Sequence, residues 1–189
     1  MEYLAYTIYT ITLILLIIFN VYIYYAIFSS KFGKYPPYVP TSVKRRKIVL
    51  AKISDCLKDS KKPLNVIDAG SGTGDMLIPL AKKFHSHKFI GIEWGYWVYL
   101  LSKLKSKNLN NIEFIHSDIF KQNFNNADII YCYIVKAFEE PLSKKIIKEA
   151  KKSCLIITNG ALFKNMELVE EIKVSDRWLS DSIYVHRIK

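Results

Sequence analysis

Cysteine is scarce in this 189-residue chain: Cys56, Cys132 and Cys154 are the only three. An odd count with no C-x-x-C pair excludes a disulfide framework and a thiolate zinc site, and points to a reducing compartment. Cys132 and Cys154 fall in apolar runs and read as buried fillers. The four histidines offer no better metal set. His85 and His87 are two apart on an expected solvated loop, and His116 and His186 have no ligand partner nearby in sequence, so no metal is expected. Acid is also short: 17 Asp and Glu stand against 28 Lys and Arg, a net charge of +11. The first thirty residues hold one charged group, Glu2, so the rest of the chain carries +12. A body this basic suits nucleic acid or an anionic membrane leaflet.

The missing charge at the N-terminus favours the membrane. Residues 3–28 contain no charged side chain, and 11–19 are almost wholly apolar. A helix of that length spans roughly 39 Å, against about 30 Å of bilayer hydrocarbon. Tyr3, Tyr6 and Tyr9 mark one end and Tyr22, Tyr24 and Tyr25 the other, as interfacial aromatics do. There is no basic start, short apolar core or small-residue cleavage site, so a signal peptide is not expected. The reading is a single transmembrane anchor over 1–30. Lys31, Lys34, Lys44, Arg45, Arg46 and Lys47 all follow the span and none precedes it, which predicts a single-pass protein with its C-terminal body in the cytoplasm. Asn20 is the one strongly polar residue within the span. It suits either a bond to another helix or the inner headgroup region.

Proline closes off helix over 31–42, where Pro36, Pro37 and Pro40 predict an extended linker. The body, 43–189, then alternates elements. A helix capped by Thr41 or Ser42 runs to about 59, with Ile48, Val49, Leu50, Ile53 and Leu57 as its apolar positions. Strands are expected at 65–68, 88–93, 112–116, 128–134 and 154–158. Helices are expected after Gly74, over about 95–107 with Val98, Leu101 and Leu104 inward, and over about 141–151. Two last strands, about 167–174 and 183–187, form an antiparallel hairpin. The order β-α-β-α-β implies an α/β fold, a Rossmann-like sheet with helices on both faces.

Three of only seven glycines lie within five residues. Residues 66–74 read Val-Ile-Asp-Ala-Gly-Ser-Gly-Thr-Gly, an apolar strand entering a tight loop before a helix. A second strand ends in Glu93, nineteen residues after Gly74. That arrangement lets the backbone approach an adenosine-containing cofactor while the acid grips the ribose hydroxyls. A dinucleotide fingerprint from Gly70 requires glycine at 75, where this chain has Asp75, and a carboxylate there repels a pyrophosphate.

The pattern Asp68-x-Gly70-x-Gly72-x-Gly74 instead resembles motif I of class I S-adenosylmethionine (SAM)-dependent methyltransferases, and the resemblance extends over about 43–189. It implies the seven-stranded sheet of that class and SAM as cofactor. It also implies a cofactor site of Asp68, Ala69, Gly70, Ser71, Gly72, Thr73 and Gly74, with Glu93 on the ribose and Trp94, Asp118 and Ile119 around the adenine. The acceptor then faces the end of strand four. The Asn/Asp-Pro-Pro-aromatic motif of DNA and glutamine-amide methyltransferases is absent there; the chain reads Tyr131-Cys132-Tyr133-Ile134-Val135. No nucleic acid partner is expected. Tyr131 and Tyr133 are the candidate catalytic residues, as walls of an aromatic slot for an amine, worth about 0.5–2 kcal/mol of cation attraction. Glu139 and Glu140 are candidates to assist proton removal, or ordinary helix-start acids.

Pro37-Tyr38-Val39-Pro40-Thr41, placed between an apolar segment and the glycine loop, is similar to the protein-lysine methyltransferases that modify the ATP synthase c subunit and the adenine nucleotide translocase, and to their bacterial relatives. Residues 183–187, Ile-Tyr-Val-His-Arg, resemble that family's closing strand. Those relatives often carry Gly-Ser-Gly-Asp-Gly where Thr73 stands here. The resemblance implies a membrane-anchored enzyme that methylates lysine on a membrane protein, with the extended segment folded over the SAM site. A lipid or small-molecule acceptor, such as phosphatidylethanolamine or a quinone precursor, is the alternative.

Overall fold

The computed structural model describes residues 2–31, 38–174 and 182–189. The expected linker positions 32–37 lie outside these. The chain divides into two units, 1–37 and 38–189.

The first unit is one helix, α1 (Glu2–Lys31). Its stretch Tyr3–Ile23, 21 residues of mean hydropathy 2.1, is long and apolar enough to cross a membrane. The side chains of 3–23 are exposed all round, which suits apolar surroundings rather than one buried face. Its polar groups are satisfied internally. Thr7, Thr10 and Thr12 hydroxyls donate to the carbonyls of Tyr3, Tyr6 and Ile8, and the Asn20 amide donates to Leu16 O at 2.8 Å. This internal bond lowers the cost of burying Asn20 in hydrocarbon.

The second unit is a seven-stranded mixed sheet in the order β3-β2-β1-β4-β5-β7-β6. The elements are α2 (Val43–Asp59), β1 (Asn65–Ala69), α3 (Leu77–Lys83), β2 (Lys88–Glu93), α4 (Tyr96–Ser106), β3 (Ile112–His116), β4 (Ile129–Cys132), α5 (Glu139–Glu149), β5 (Leu155–Asn159), β6 (Glu167–Lys173) and β7 (Ser182–Arg187). Five strands are parallel, and β7 inserts antiparallel between β5 and β6. Side chains of β1 alternate between two cores. Val66 joins Val49, Ile53, Leu57, Leu77 and Leu80 from α2 and α3, while Ile67 joins Leu142 and Ile146 of α5 on the opposite face. Chain order reverses at β1, between β2 and β4. The crevice beyond its C-terminal end is where open α/β sheets hold ligands.

Most expected elements stand within a residue or two of their predicted bounds. Ser42 caps α2, its side chain accepting from Arg45 N, and Cys132 and Cys154 are buried. The α5 helix begins two residues early because Glu139 and Glu140 suit the positive first turn and Pro141 is tolerated there. Two expectations fail. His87 is buried rather than solvated, its Nδ1 accepting from Leu64 N at 3.0 Å. Leu101 and Leu104 of α4 point outward, while Ser102 and Ser106 are buried.

His186 of β7 is fully buried, and its Nε2 accepts from Phe163 N at 3.2 Å. The ring proton therefore sits on Nδ1. Burial pushes its pKa down to about 4, from 6.5. The unfolded chain takes up this proton as pH falls through 6.5, whereas the folded chain holds it off until about 4, so acidification across that window costs stability. Chemical denaturation at pH 6.5 and pH 4 is expected to show a smaller loss for His186→Gln than for the wild type; equal losses refute the assignment.

Candidate functional site

The β1–α3 loop is tied to β2 by its backbone. Gly70 N and Ser71 N both donate to Ile92 O at 2.9 Å, and Gly74 N closes a turn on Ser71 O at 3.0 Å. Gly70, Gly72 and Gly74 all have positive φ, a region costly for other residues. Their surroundings differ. At Gly74 a Cβ would meet Ile78 Cδ1 and Phe114 Cζ at 2.7 Å, so this glycine serves the core. At Gly72 the space is taken by the Tyr38 ring, whose Cδ2 would be 3.0 Å from a Cβ. Only at Gly70 of the three would a Cβ meet no clash, its nearest neighbour, Tyr133 O, being at an ordinary contact distance of 4.0 Å.

Two buried acids meet at this loop. Glu93, at the end of β2, accepts from Gly72 N through Oε2 at 2.9 Å and from Gly95 N through Oε1 at 2.7 Å. Burial raises its pKa, and these N–H groups oppose that rise. Asp68, in β1, is 1% exposed, and its Oδ1 has no hydrogen-bond partner. Burial holds the Asp68 carboxyl well above the usual range, and the neighbouring Glu93 charge raises it further. Ser71 Oγ is likewise buried without a partner. Two mutually repelling carboxyls, one with an orphaned acceptor, fit a cationic ligand such as SAM, which carries a sulfonium and an ammonium. Ala69 is buried in the sheet and Thr73 is half-buried in the loop.

The remaining expected residues frame the site less tightly. Trp94 is half-buried, and its carbonyl accepts from His116 Nε2 at 2.7 Å. Asp118 caps a 3-10 turn, accepting from Phe120 N at 2.9 Å, and Ile119 packs against the second core. Asp75 is paired with Lys105 at 3.2 Å and Arg46 at 3.7 Å, so its repulsion toward a phosphate is weaker than a free carboxylate's. Glu140 pairs with Lys144 at 2.7 Å, an ordinary surface ion pair.

Tyr131 and Tyr133 part company. Tyr131 is buried, in register with Asp68 of β1. Its hydroxyl lies 3.4 Å from Thr41 Oγ1 and beside Asn159. Burial, then the Asp68 charge, pushes its pKa far up, so it stays protonated at neutral pH. Tyr133, beyond β4, is half-buried. Sequence reasoning missed Arg45 and Asn159. Arg45 is buried in α2 and donates to Asn159 Oδ1 at 2.7 Å and Val174 O at 3.5 Å. The signal was present: positions 45, 49, 53 and 57 form one stripe of α2, and Arg45 is its charged member. Asn159 Nδ2 is a buried donor without a partner.

Comparison with known proteins gives a family and a fold. A family model described as the ANTKMT methyltransferase domain matches residues 68–170. The chain is 26% identical over 163 residues to a protein-lysine N-methyltransferase of Saccharolobus islandicus (strain REY15A), covering 80% of this chain and 93% of the relative. It is 28% identical over 137 residues to a carboxy-S-adenosyl-L-methionine synthase of Nautilia profundicola, covering 71% of this chain and 56% of that one. Among solved structures, an RNA methyltransferase from Salinibacter ruber bound to S-adenosyl-L-homocysteine superposes with a TM-score of 0.67 at 17% identity, covering 79% of this chain and 94% of its own. A magnesium protoporphyrin IX methyltransferase from Synechocystis PCC 6803 with bound SAM gives 0.61 at 17% identity, covering 90% and 96%.

Gly91 supports the loop from β2. A Cβ there would stand 2.5 Å from Phe114 Cε1 and 2.7 Å from Ser71 Oγ. Gly91→Ala is expected to cost about 1–3 kcal/mol in urea denaturation, the usual penalty for overpacking a filled core. An unchanged midpoint would show that the loop yields freely.

Proposed function

This chain belongs to the family of ANTKMT methyltransferase domains, and on that premise we propose that it is a membrane-anchored protein-lysine N-methyltransferase acting on a membrane protein. It is a SAM-dependent methyltransferase. The lysine acceptor is supported by the relative from Saccharolobus islandicus, which matches over nearly its whole length. The membrane setting is supported by α1, and a cytoplasmic body by the cations that follow it.

The observation that carries the cofactor assignment is the buried pair Asp68 and Glu93. In this reading the Asp68 Oδ1 lone pairs take the cationic methionine end. Glu93 keeps lone pairs for the ribose hydroxyls beyond its bonds to Gly72 N and Gly95 N. Gly70, where a Cβ would meet no clash, supplies the backbone face. Ala69, Ser71, Gly72, Thr73 and Gly74 complete the loop, and Trp94, Asp118 and Ile119 flank the adenine. SAM supplies a methyl group on an already activated sulfonium. The protein's own contribution is alignment and exclusion of water. The acceptor lysine must present a neutral amine, which a low-dielectric pocket favours. Tyr131, held protonated by burial and bonded toward Thr41, orients the acceptor end rather than removing a proton, with Tyr133 as the outer wall. The described part of the extended segment, Tyr38 against Gly72 and Thr41 against Tyr131, forms one side of the site.

Incubating membranes with the purified chain and methyl-labelled SAM, then partitioning protein from lipid, tests the acceptor. Label in a protein band, recovered as methylated lysine, is expected; label in the lipid extract instead favours a lipid acceptor and overturns the proposal. Glu93→Ala is expected to weaken SAM binding by calorimetry at least tenfold, about 1.4 kcal/mol, as removal of a charged hydrogen-bonding partner does. Unaltered affinity would place the ribose elsewhere.

A further inference from the structure

The outward face of α4 has no role in the site described above. Within α4 the buried positions are Ser102 and Ser106, with Tyr99 half-buried against the first core. The opposite side carries Trp97, Leu100, Leu101 and Leu104, spaced i, i+3, i+4 and i+7, which places them on one stripe of a helix turning about 100° per residue. Trp97 is 64% exposed, Leu101 53% and Leu104 70%. The helix therefore departs from an ordinary surface helix: it buries two serines, half-buries Val98, Tyr99 and Leu100, and leaves Trp97, Leu101 and Leu104 outward. Contiguous apolar exposure of this kind marks an interaction surface.

The flanks name the occupant. At the same helical pitch Lys103 and Lys107 lie along one edge of the stripe and Lys105, paired with Asp75, along the other, and all three are exposed. An apolar stripe with Trp at one end and lysines on both edges is the pattern of a helix lying in the plane of an anionic bilayer, apolar face down and ammonium groups reaching the headgroups. A purely apolar protein partner gives no reason for the exposed cations Lys103 and Lys107 beside the stripe. We propose that α4 docks the catalytic unit onto an anionic membrane surface, Trp97, Leu101 and Leu104 entering the interface and Lys103 and Lys107 meeting acidic headgroups. The proposal depends on neither the methyl acceptor nor the spanning role of α1. Gly95, which precedes α4, is bonded to Glu93, so docking brings this edge of the candidate cofactor site to the bilayer.

The test uses the full chain in phosphatidylcholine vesicles with and without phosphatidylglycerol. A spin label is placed by Leu104→Cys in a Cys56→Ser background, and its collisions with oxygen and with a water-soluble nickel chelate are compared. With anionic lipid the label is expected to favour oxygen. Lys103→Gln with Lys107→Gln is expected to shift the docked-to-undocked ratio toward water by about fivefold per lysine. Binding of S-adenosyl-L-homocysteine, measured by calorimetry, verifies that each variant is folded; a label at Leu101→Cys serves where the first perturbs folding. A label that remains open to nickel in anionic vesicles overturns the proposal. So does a label shielded from both reagents whatever the lipid, with concentration-dependent spin broadening, because a second protein copy then covers the face.

Discussion

The site is organised by one carboxylate. Glu93 ends β2 and ties the glycine loop, through Gly72 N, to the start of α4, through Gly95 N. Three chain segments thereby converge at the point where strand order reverses around β1. Both bonds are charge-assisted and buried, which makes them stronger than neutral bonds and their loss costly. The same placement creates the adjacent strain. Asp68 sits in the neighbouring strand with an oxygen unbonded, and the Glu93 charge adds to the cost of ionising it. A sheet that buries two carboxyls side by side has an electrostatic demand for a cation, and the cofactor class of this family carries one.

Around that centre the polar groups divide by task. Arg45, Asn159, Tyr131 and Thr41 join α2, β5, β4 and the extended segment in a buried network on the other side of Asp68. Buried networks of this kind specify geometry more than they add stability. The extended segment belongs to the site through packing as well: Tyr38 fills the space that Gly72 leaves. The apolar outward face of α4 leads away from the same centre toward the surroundings of the protein.

Much of this was legible from residue order. The Asp68-x-Gly-x-Gly-x-Gly run, the β2 strand ending in Glu93 and a cap of α2 at Thr41 or Ser42 all declare themselves locally, because loop geometry, strand alternation and capping act within a few residues. The partition of tasks among the three glycines was not legible, since it depends on Ile78, Phe114 and Tyr38 arriving from elsewhere. Nor was the orientation of α4. Its two nearly opposed faces carry serines and leucines, and hydrophobic periodicity assigns the leucines inward. Only the packing of β2 and β3 beneath it shows that the serines took that place.

By itself the sequence determined an α/β order of elements, a SAM-type loop with its acid, and an N-terminal helical stretch, 3–28, uncharged and of membrane-spanning length. These follow from short-range patterns in which each residue's neighbours along the chain supply the constraint. Tertiary structure alone decided that Glu93 bonds the loop backbone, that Asp68 is left with an unmet acceptor, and that Arg45 turns inward to Asn159. Those are contacts between residues 21 to 114 positions apart, or the lack of one, and desolvation and hydrogen-bond partnership at such range exist only once the sheet has closed around them.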